Sequence, residues 1–295
     1  HPLDTDIHSV RDMKRLQSAV VKMVGQNKIF AVALTVSVLF VLSCTTVKED
    51  RGECPCYLTI DVDDYAALDD CPSALVQVQG TSLIQNTILP RDYESRGYEM
   101  KVERRPNRVT VLGGLEDSFI VGDTLGIDKW KEADPLMVFN AYVDCDGELA
   151  FEKAVPHKKW CEVYFILLGE ESVGDYPYDM VLSADCNAMR ITSGTPIWGD
   201  YKVLVERRKS GKPVARVPRQ KENVLRLDFF TRNESRNYSY GDRVFSLDIG
   251  REMESQGYDW NREDLDDVNV FVDLARMKAS VNIVEWETTR LNVEI

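Results

Sequence analysis

Tyr57-Leu58-Thr59-Ile60-Asp61-Val62 decides the fold. Leu58, Ile60 and Val62 fall on one face and Tyr57, Thr59 and Asp61 on the other, the period-two alternation of a half-buried strand. The texture recurs at 74–78, 97–103 and 108–112, with Pro106-Asn107 turning the chain between the last two. Segment 136–143 is expected to pair with 148–153 in a hairpin across Asp144-Cys145-Asp146-Gly147, whose Asp-Gly suits a tight turn. Those acidic residues lack the ligand spacing of an EF-hand, so the turn is preferred to a calcium loop.

A second series of strands is read at 161–168, 179–182, 188–192, 201–207, 224–230, 243–249, 268–272, 280–286 and 291–295. Gly211-Lys212-Pro213 interrupts it, and 251–256 is a short helical turn stopped by Gly257. No long amphipathic helix pattern occurs. The fold class is therefore all-β, two antiparallel β-sandwich domains in tandem, with 54–155 as the N-terminal and 156–295 as the C-terminal sandwich.

Upstream, the apolar run 29–42 ends in Val41-Leu42-Ser43-Cys44. At about 14 residues it is too short for a stable transmembrane helix and has the length of a signal-peptide core. Small or branched residues closing on a cysteine are the layout of a bacterial lipoprotein signal, with Cys44 as the lipidated residue. Each buried methylene of its acyl chains contributes about 0.8 kcal/mol, so several chains hold a protein to a membrane essentially permanently. Residues 1–43 are then upstream sequence and signal peptide, with Met13 or Met23 as alternative starts, and 44–53 is a lipidated polar tether. Thr45, where an aspartate would mark inner-membrane retention, favours the outer membrane. The competing view is a buried apolar helix followed by an ordinary cysteine.

Hydrophobic residues make up 44% of the 295 and charged residues 29%, as in globular proteins. Residues 1–43 hold five of the 36 Lys/Arg and three of the 49 Asp/Glu, so the remainder is net -15. So acidic a surface repels phosphate backbones, and nucleic acid is excluded as a partner.

Beyond Cys44 the cysteines are Cys54, Cys56, Cys71, Cys145, Cys161 and Cys186, which permit several disulfide pairings or plain buried thiols. Cys54-Pro55-Cys56 without a second pair is weak ground for a metal or redox site. Two of the three histidines precede Cys44. Any triad would have to use His157, and a two-histidine zinc site is impossible in one chain. Within Pro156-His157-Lys158-Lys159-Trp160, a polar lead-in to a strand, that ring is expected to be exposed. Carboxylate pairs at glycosidase spacing arise by chance in so acidic a chain. No catalytic residue, metal ligand or cofactor is expected. The five tryptophans are scattered and are assigned to cores rather than to a sugar-binding platform.

Cys44 followed by Lys48-Glu49-Asp50-Arg51 and Cys54-Pro55-Cys56-Tyr57-Leu58-Thr59-Ile60-Asp61 resembles the mature start of fimbrial anchor lipoproteins of Bacteroidales, the FimB/Mfa-type branch of the fimbrillin superfamily. Pro156-His157-Lys158-Lys159-Trp160-Cys161, Gly257-Tyr258-Asp259-Trp260 and Val281-Asn282-Ile283-Val284-Glu285-Trp286 extend the resemblance over nearly all of 44–295. It implies transthyretin-like sandwiches, a surface-exposed lipid anchor in the outer membrane, and a non-enzymatic role anchoring a fimbrium and terminating or regulating its assembly. Implied partners are shaft or accessory subunits joined by β-strand addition, in which main-chain hydrogen bonds give affinity and alternate side chains fill pockets. The anchor would keep its own first strand, tied to the lipid. Segment 291–295 is either a contact strand or the closing partner of 280–286. The alternatives are a fimbrial tip or accessory subunit and a surface glycan-binding lipoprotein.

Overall fold

The computed structural model describes residues 54–168, 178–207, 212–231 and 241–286. The lipoprotein signal, Cys44, the tether and segment 291–295 lie outside them. In chain order the strands are β1 (Cys56–Asp61), β2 (Ala74–Gln79), β3 (Leu83–Ile88), β4 (Tyr98–Val102), β5 (Asn107–Gly113), β6 (Phe119–Val121), β7 (Thr124–Gly126), β8 (Met137–Val143) and β9 (Leu149–Lys153). There follow β10 (His157–Lys158), β11 (Trp160–Leu168), β12 (Tyr178–Arg190), β13 (Pro196–Leu204), β14 (Glu206–Arg207) and β15 (Pro213–Pro218). The last four are β16 (Arg226–Thr231), β17 (Arg243–Asp248), β18 (Asp267–Asp273) and β19 (Lys278–Val284). Two short α-helices, α1 (Asp63–Ala66) and α2 (Ile249–Ser255), and a 3-10 turn at Pro90–Tyr93 complete the regular structure.

The strands form four sheets, the layers of two sandwiches, as the alternation predicts. The first sandwich pairs the sheet β4-β1-β9 with β10-β8-β5-β2-β3. The second pairs β14-β15-β11-β18-β19 with β17-β16-β12-β7-β6, and β13 adds to β12. Leu58, Ile60, Val76, Val78, Val109 and Val111 meet in the first core. Val163, Phe165, Leu182, Leu227, Phe229 and Val270 meet in the second.

Both halves use their leading strand in one way. β1 lies antiparallel to β4 and parallel to β9, while β11 lies antiparallel to β15 and parallel to β18. These two pairs are the parallel exceptions in sheets otherwise antiparallel. A parallel neighbour requires a crossover, so each leading strand is locked in place only after the rest of its sandwich has been threaded.

The halves also exchange pieces. β7 pairs with β12, and β10 pairs with β8. Leu112 and Val138, on the far face of the first sandwich, meet Leu125, Trp160, Met189 and Ile191 in a third apolar cluster. That contact explains why β5 is buried along both faces.

Three sequence expectations are corrected. First, 136–143 and 148–153 do not form a hairpin: β8 pairs with β5 and β10, and β9 crosses to lie parallel to β1. The Asp144 carboxylate accepts the Asp146 amide at 3.0 Å, a local turn that ends β8, and buried Cys145 carries the chain into the core between the sheets. Second, 179–182 and 188–192 are joined in the single strand β12, whose register shifts between Ala184 and Ala188 break the alternation. Third, the stretch after Gly211-Lys212 is itself a strand, since Pro213 stands at its first residue, where a missing N–H is tolerated.

The short helix is as expected. The Asp248 carboxylate accepts the Arg251 amide at 2.9 Å, Met253 is buried, and Gly257 ends the turn with φ of 80°.

Leu58→Ala removes a fully buried side chain from the centre of β1. It should cost about 2–5 kcal/mol in urea unfolding, against a few tenths for Thr59→Ala on the outer face. Equal costs at the two positions would contradict the facing described.

Candidate subunit-contact surface

Strand β1 organises the surface as well as the core. Its ladder to β9 runs from Tyr57 opposite Leu149 to Asp61 opposite Lys153, with Tyr57 N donating to Glu148 O at 2.9 Å and Ala154 N donating to Asp61 O at 2.9 Å at its ends. Cys56, Leu58 and Ile60 point inward and are fully buried. Tyr57 and Thr59 point outward, and the register sets beside them Leu149, 79% exposed, and Phe151, 65% exposed. Lys101 on β4 approaches the Tyr57 ring at 5.6 Å. An apolar stripe thus crosses the outer face of β1 and β9.

Strand β9 is also the last strand of its sheet among the described residues. A sheet edge presents unpaired main-chain donors and acceptors, and proteins ordinarily blunt such edges with charge. Here Leu149 and Phe151 line it instead. Burying side chains of this kind contributes about 1.5–3 kcal/mol each, so a strand laid on this edge would gain both ladder bonds and apolar contact.

The cysteines offer no reactive site. All six in the described residues are free thiols, and only Cys54 is exposed. Cys54 and Cys56 therefore divide between solvent and core and cannot share a metal. Burial pushes Cys71 and Cys161 up to about 12, and Cys145 up to about 11, with the adjacent Cys56 adding to the last. Thiols held protonated in this way are poor nucleophiles and ligands. Among the described residues no cluster of His, Cys, Asp or Glu could hold a metal ion, and no helix is long and apolar enough to cross a membrane.

His157 is not the exposed ring the sequence suggests. Its Nε2 lies 3.0 Å from Glu263 and its Nδ1 3.3 Å from Asp264. It lines a cleft of about 330 Å³ between the sandwiches together with Arg108, Tyr142, Lys159 and Arg219. The cations of this cleft are already engaged. Lys159 Nζ donates to Glu263 O at 2.8 Å, and Arg219 donates to the carbonyls of Trp260 and Arg262. Burial and the nearby Arg219 lower Lys159 to about 8. Lys159 and Arg219 are thus already bonded within the chain.

The tryptophans divide. Trp160 and Trp260 are buried and Trp286 packs against the first core, as core assignment requires. Trp198, 52% exposed, and Trp130, 41% exposed, are on the surface. Both lie along β13: Trp198 is part of that strand, and Trp130 N donates to Lys202 O at 3.1 Å.

Cys44, the one site residue expected from the sequence, lies outside the described residues, and the stripe is not among those expectations. The signal was present in Leu149-Ala150-Phe151, where the small residue faces the core and the large ones do not.

No family model matches the sequence, and no curated protein matches it. Solved structures do. A candidate adhesin of Bacteroides ovatus matches with TM-score 0.52 and 14% identity, over 79% of this chain and 94% of its own. A candidate polysaccharide-binding protein of Bacteroides thetaiotaomicron matches with TM-score 0.52 and 12% identity, over 80% and 99%. The fimbrial anchor protein Mfa2 of Porphyromonas gingivalis matches more weakly, with TM-score 0.47 and 11% identity, over 79% and 98%. The chain shares the fold of the two Bacteroides proteins.

Leu149→Lys combined with Phe151→Lys should leave urea stability within about 0.5 kcal/mol per site, since both side chains are exposed. The same double variant should lose capture of partner subunits from the native host. Unchanged capture would remove the stripe from the contact surface.

Proposed function

We propose that this chain is a lipid-anchored, non-enzymatic subunit of the outer membrane that fixes a cell-surface fimbrium to the cell and ends its growth there. The observation that carries this reading is the position of β1. It fills the centre of its sheet with Leu58 and Ile60 fully buried, and the expected lipid attachment, Cys44, lies just upstream of it. A ten-residue tether reaches at most about 35 Å when fully extended. A strand held this close to the bilayer at one end, and hydrogen-bonded on both sides along its length, is not free to be exchanged for a neighbour's. Growth by strand replacement would stop at such a subunit.

The outer edge of β9, last in its sheet among the described residues, then supplies the way to hold the next subunit. A strand from a shaft or accessory subunit adds beside Leu149 and Phe151 without displacing any described strand. The fold shared with Bacteroidales adhesin-type proteins supports the setting, and the motifs from Cys44 to Asp61 support the anchor role in particular. On this reading residues 44–53 are the tether, and the sandwiches starting near 54 and 156 face outward from the cell.

A second reading rests on Trp130 and Trp198. Two exposed indoles along β13 could stack on sugar rings, and one protein sharing the fold is described as polysaccharide-binding. A surface glycan-binding lipoprotein would lose carbohydrate retention in Trp198→Ala, whereas the anchor reading expects that variant to hold filaments normally. A tip subunit is the third arrangement, and it would be found at the far end of the filament from the membrane.

In the native host, Cys44→Ala should shift filaments from the cells into the medium. Filaments that stay attached and unchanged in length would refute the anchor role.

A further inference from the structure

Lys158 is completely buried, a rare place for a lysine. Its ammonium nitrogen lies 2.5 Å from Asp267 Oδ1 and 3.2 Å from the Leu265 carbonyl oxygen. The Trp160 and Trp286 rings cover it, each with its centroid 4.4 Å from Nζ. The Glu162 amide donates to the same Asp267 oxygen at 2.7 Å, and the Glu162 side chain is itself buried. The amine is thus shut off from water, and the carboxyl group in contact with it is 14% exposed. Burial pushes the Asp267 carboxyl up in spite of Lys158 beside it, and the Glu162 charge adds to the effect.

A buried ion pair must offset a desolvation cost of several kcal/mol per charge. Condensation to a neutral amide removes both charges at once and keeps the polar contacts. We propose that Lys158 and Asp267 form an intramolecular isopeptide bond. A proton passes from the ammonium to the carboxyl group, and the free amine then attacks Cγ. Oδ1 keeps the Glu162 N–H, which is placed to stabilise the tetrahedral oxyanion. The second carboxyl oxygen takes up two protons and leaves as water. One C–N bond forms and one C–O bond breaks, with no oxidant, reductant or other reactant. The remaining N–H can still donate to Leu265 O.

The bond would have a mechanical consequence. Lys158 belongs to β10, which pairs with β8 of the first sandwich, and Asp267 opens β18 beside β11 in the second. An amide between them would fix the strand that the second half lends to the first sandwich onto β18 of the second.

The test is peptide mapping of the full, purified chain by trypsin digestion and tandem mass spectrometry. The expected result is a branched peptide joining the segments around Lys158 and Asp267, lighter by one water than their sum, with no cleavage after Lys158. Asp267→Ala should abolish the branch and restore cleavage. Linear peptides ending at Lys158 as the main species of the unsubstituted chain would overturn the proposal, as would a branched peptide that persists in Asp267→Ala. If that variant fails to fold, the unsubstituted chain still decides, because the branch is either present in it or not.

Discussion

The main-chain ladder that holds β1 between β4 and β9 is the constraint on which the first sandwich depends. A central strand is bonded on both edges, so its loss would open two ladders and uncover the core lined by Leu58 and Ile60. The second sandwich repeats the arrangement with β11 between β15 and β18. In each half the first strand to be made is the one that the later strands close around, and one of those contacts is parallel, which a hairpin cannot supply. The leading strand is therefore the most costly piece to remove, and in the first half it is also the piece next to the expected membrane attachment.

The seam between the sandwiches follows from the exchange of β7 and β10. Each half lends a short strand to a sheet of the other, and the faces so brought together bury Leu112, Val138, Met189 and Ile191. Trp160 belongs to that cluster and also covers Lys158, so the apolar seam and the buried ion pair share a wall. Trp286 closes the other side, its amide donating to Asp266 at 2.9 Å. The acidic surface leaves the joint's specificity to shape and main-chain bonding more than to long-range attraction.

Much of the fold is legible in the sequence wherever one strand face is buried. Leu58/Ile60/Val62, Val109/Val111 and Leu225/Leu227/Phe229 announce themselves by alternation. Strands that break the period were missed or misread for physical reasons. β3 is a polar edge strand, with Gln85, Asn86 and Thr87 exposed, and β12 contains bulges. The partner of β9 was beyond reach because a strand's alternation does not say which sheet it joins. The lipidation expected at Cys44 lies outside the described residues, and the Leu149–Phe151 stripe was not legible because it exists only where β9 lies beside Tyr57. Lys158 read as a polar lead-in residue because its burial depends on Trp286 and Asp267, both more than 100 residues away.

The central claim is that β1 is a permanent part of its sheet. Native-state hydrogen exchange across low urea concentrations tests it directly, because amides freed by local release and by global unfolding respond differently to denaturant. The amides of Leu58 to Ile60 should exchange only through global unfolding, with a denaturant dependence equal to that of the core strand β5. Exchange of β1 at a lower free energy than β5, with little dependence on urea, would mean that the strand leaves its groove on its own and would contradict the account.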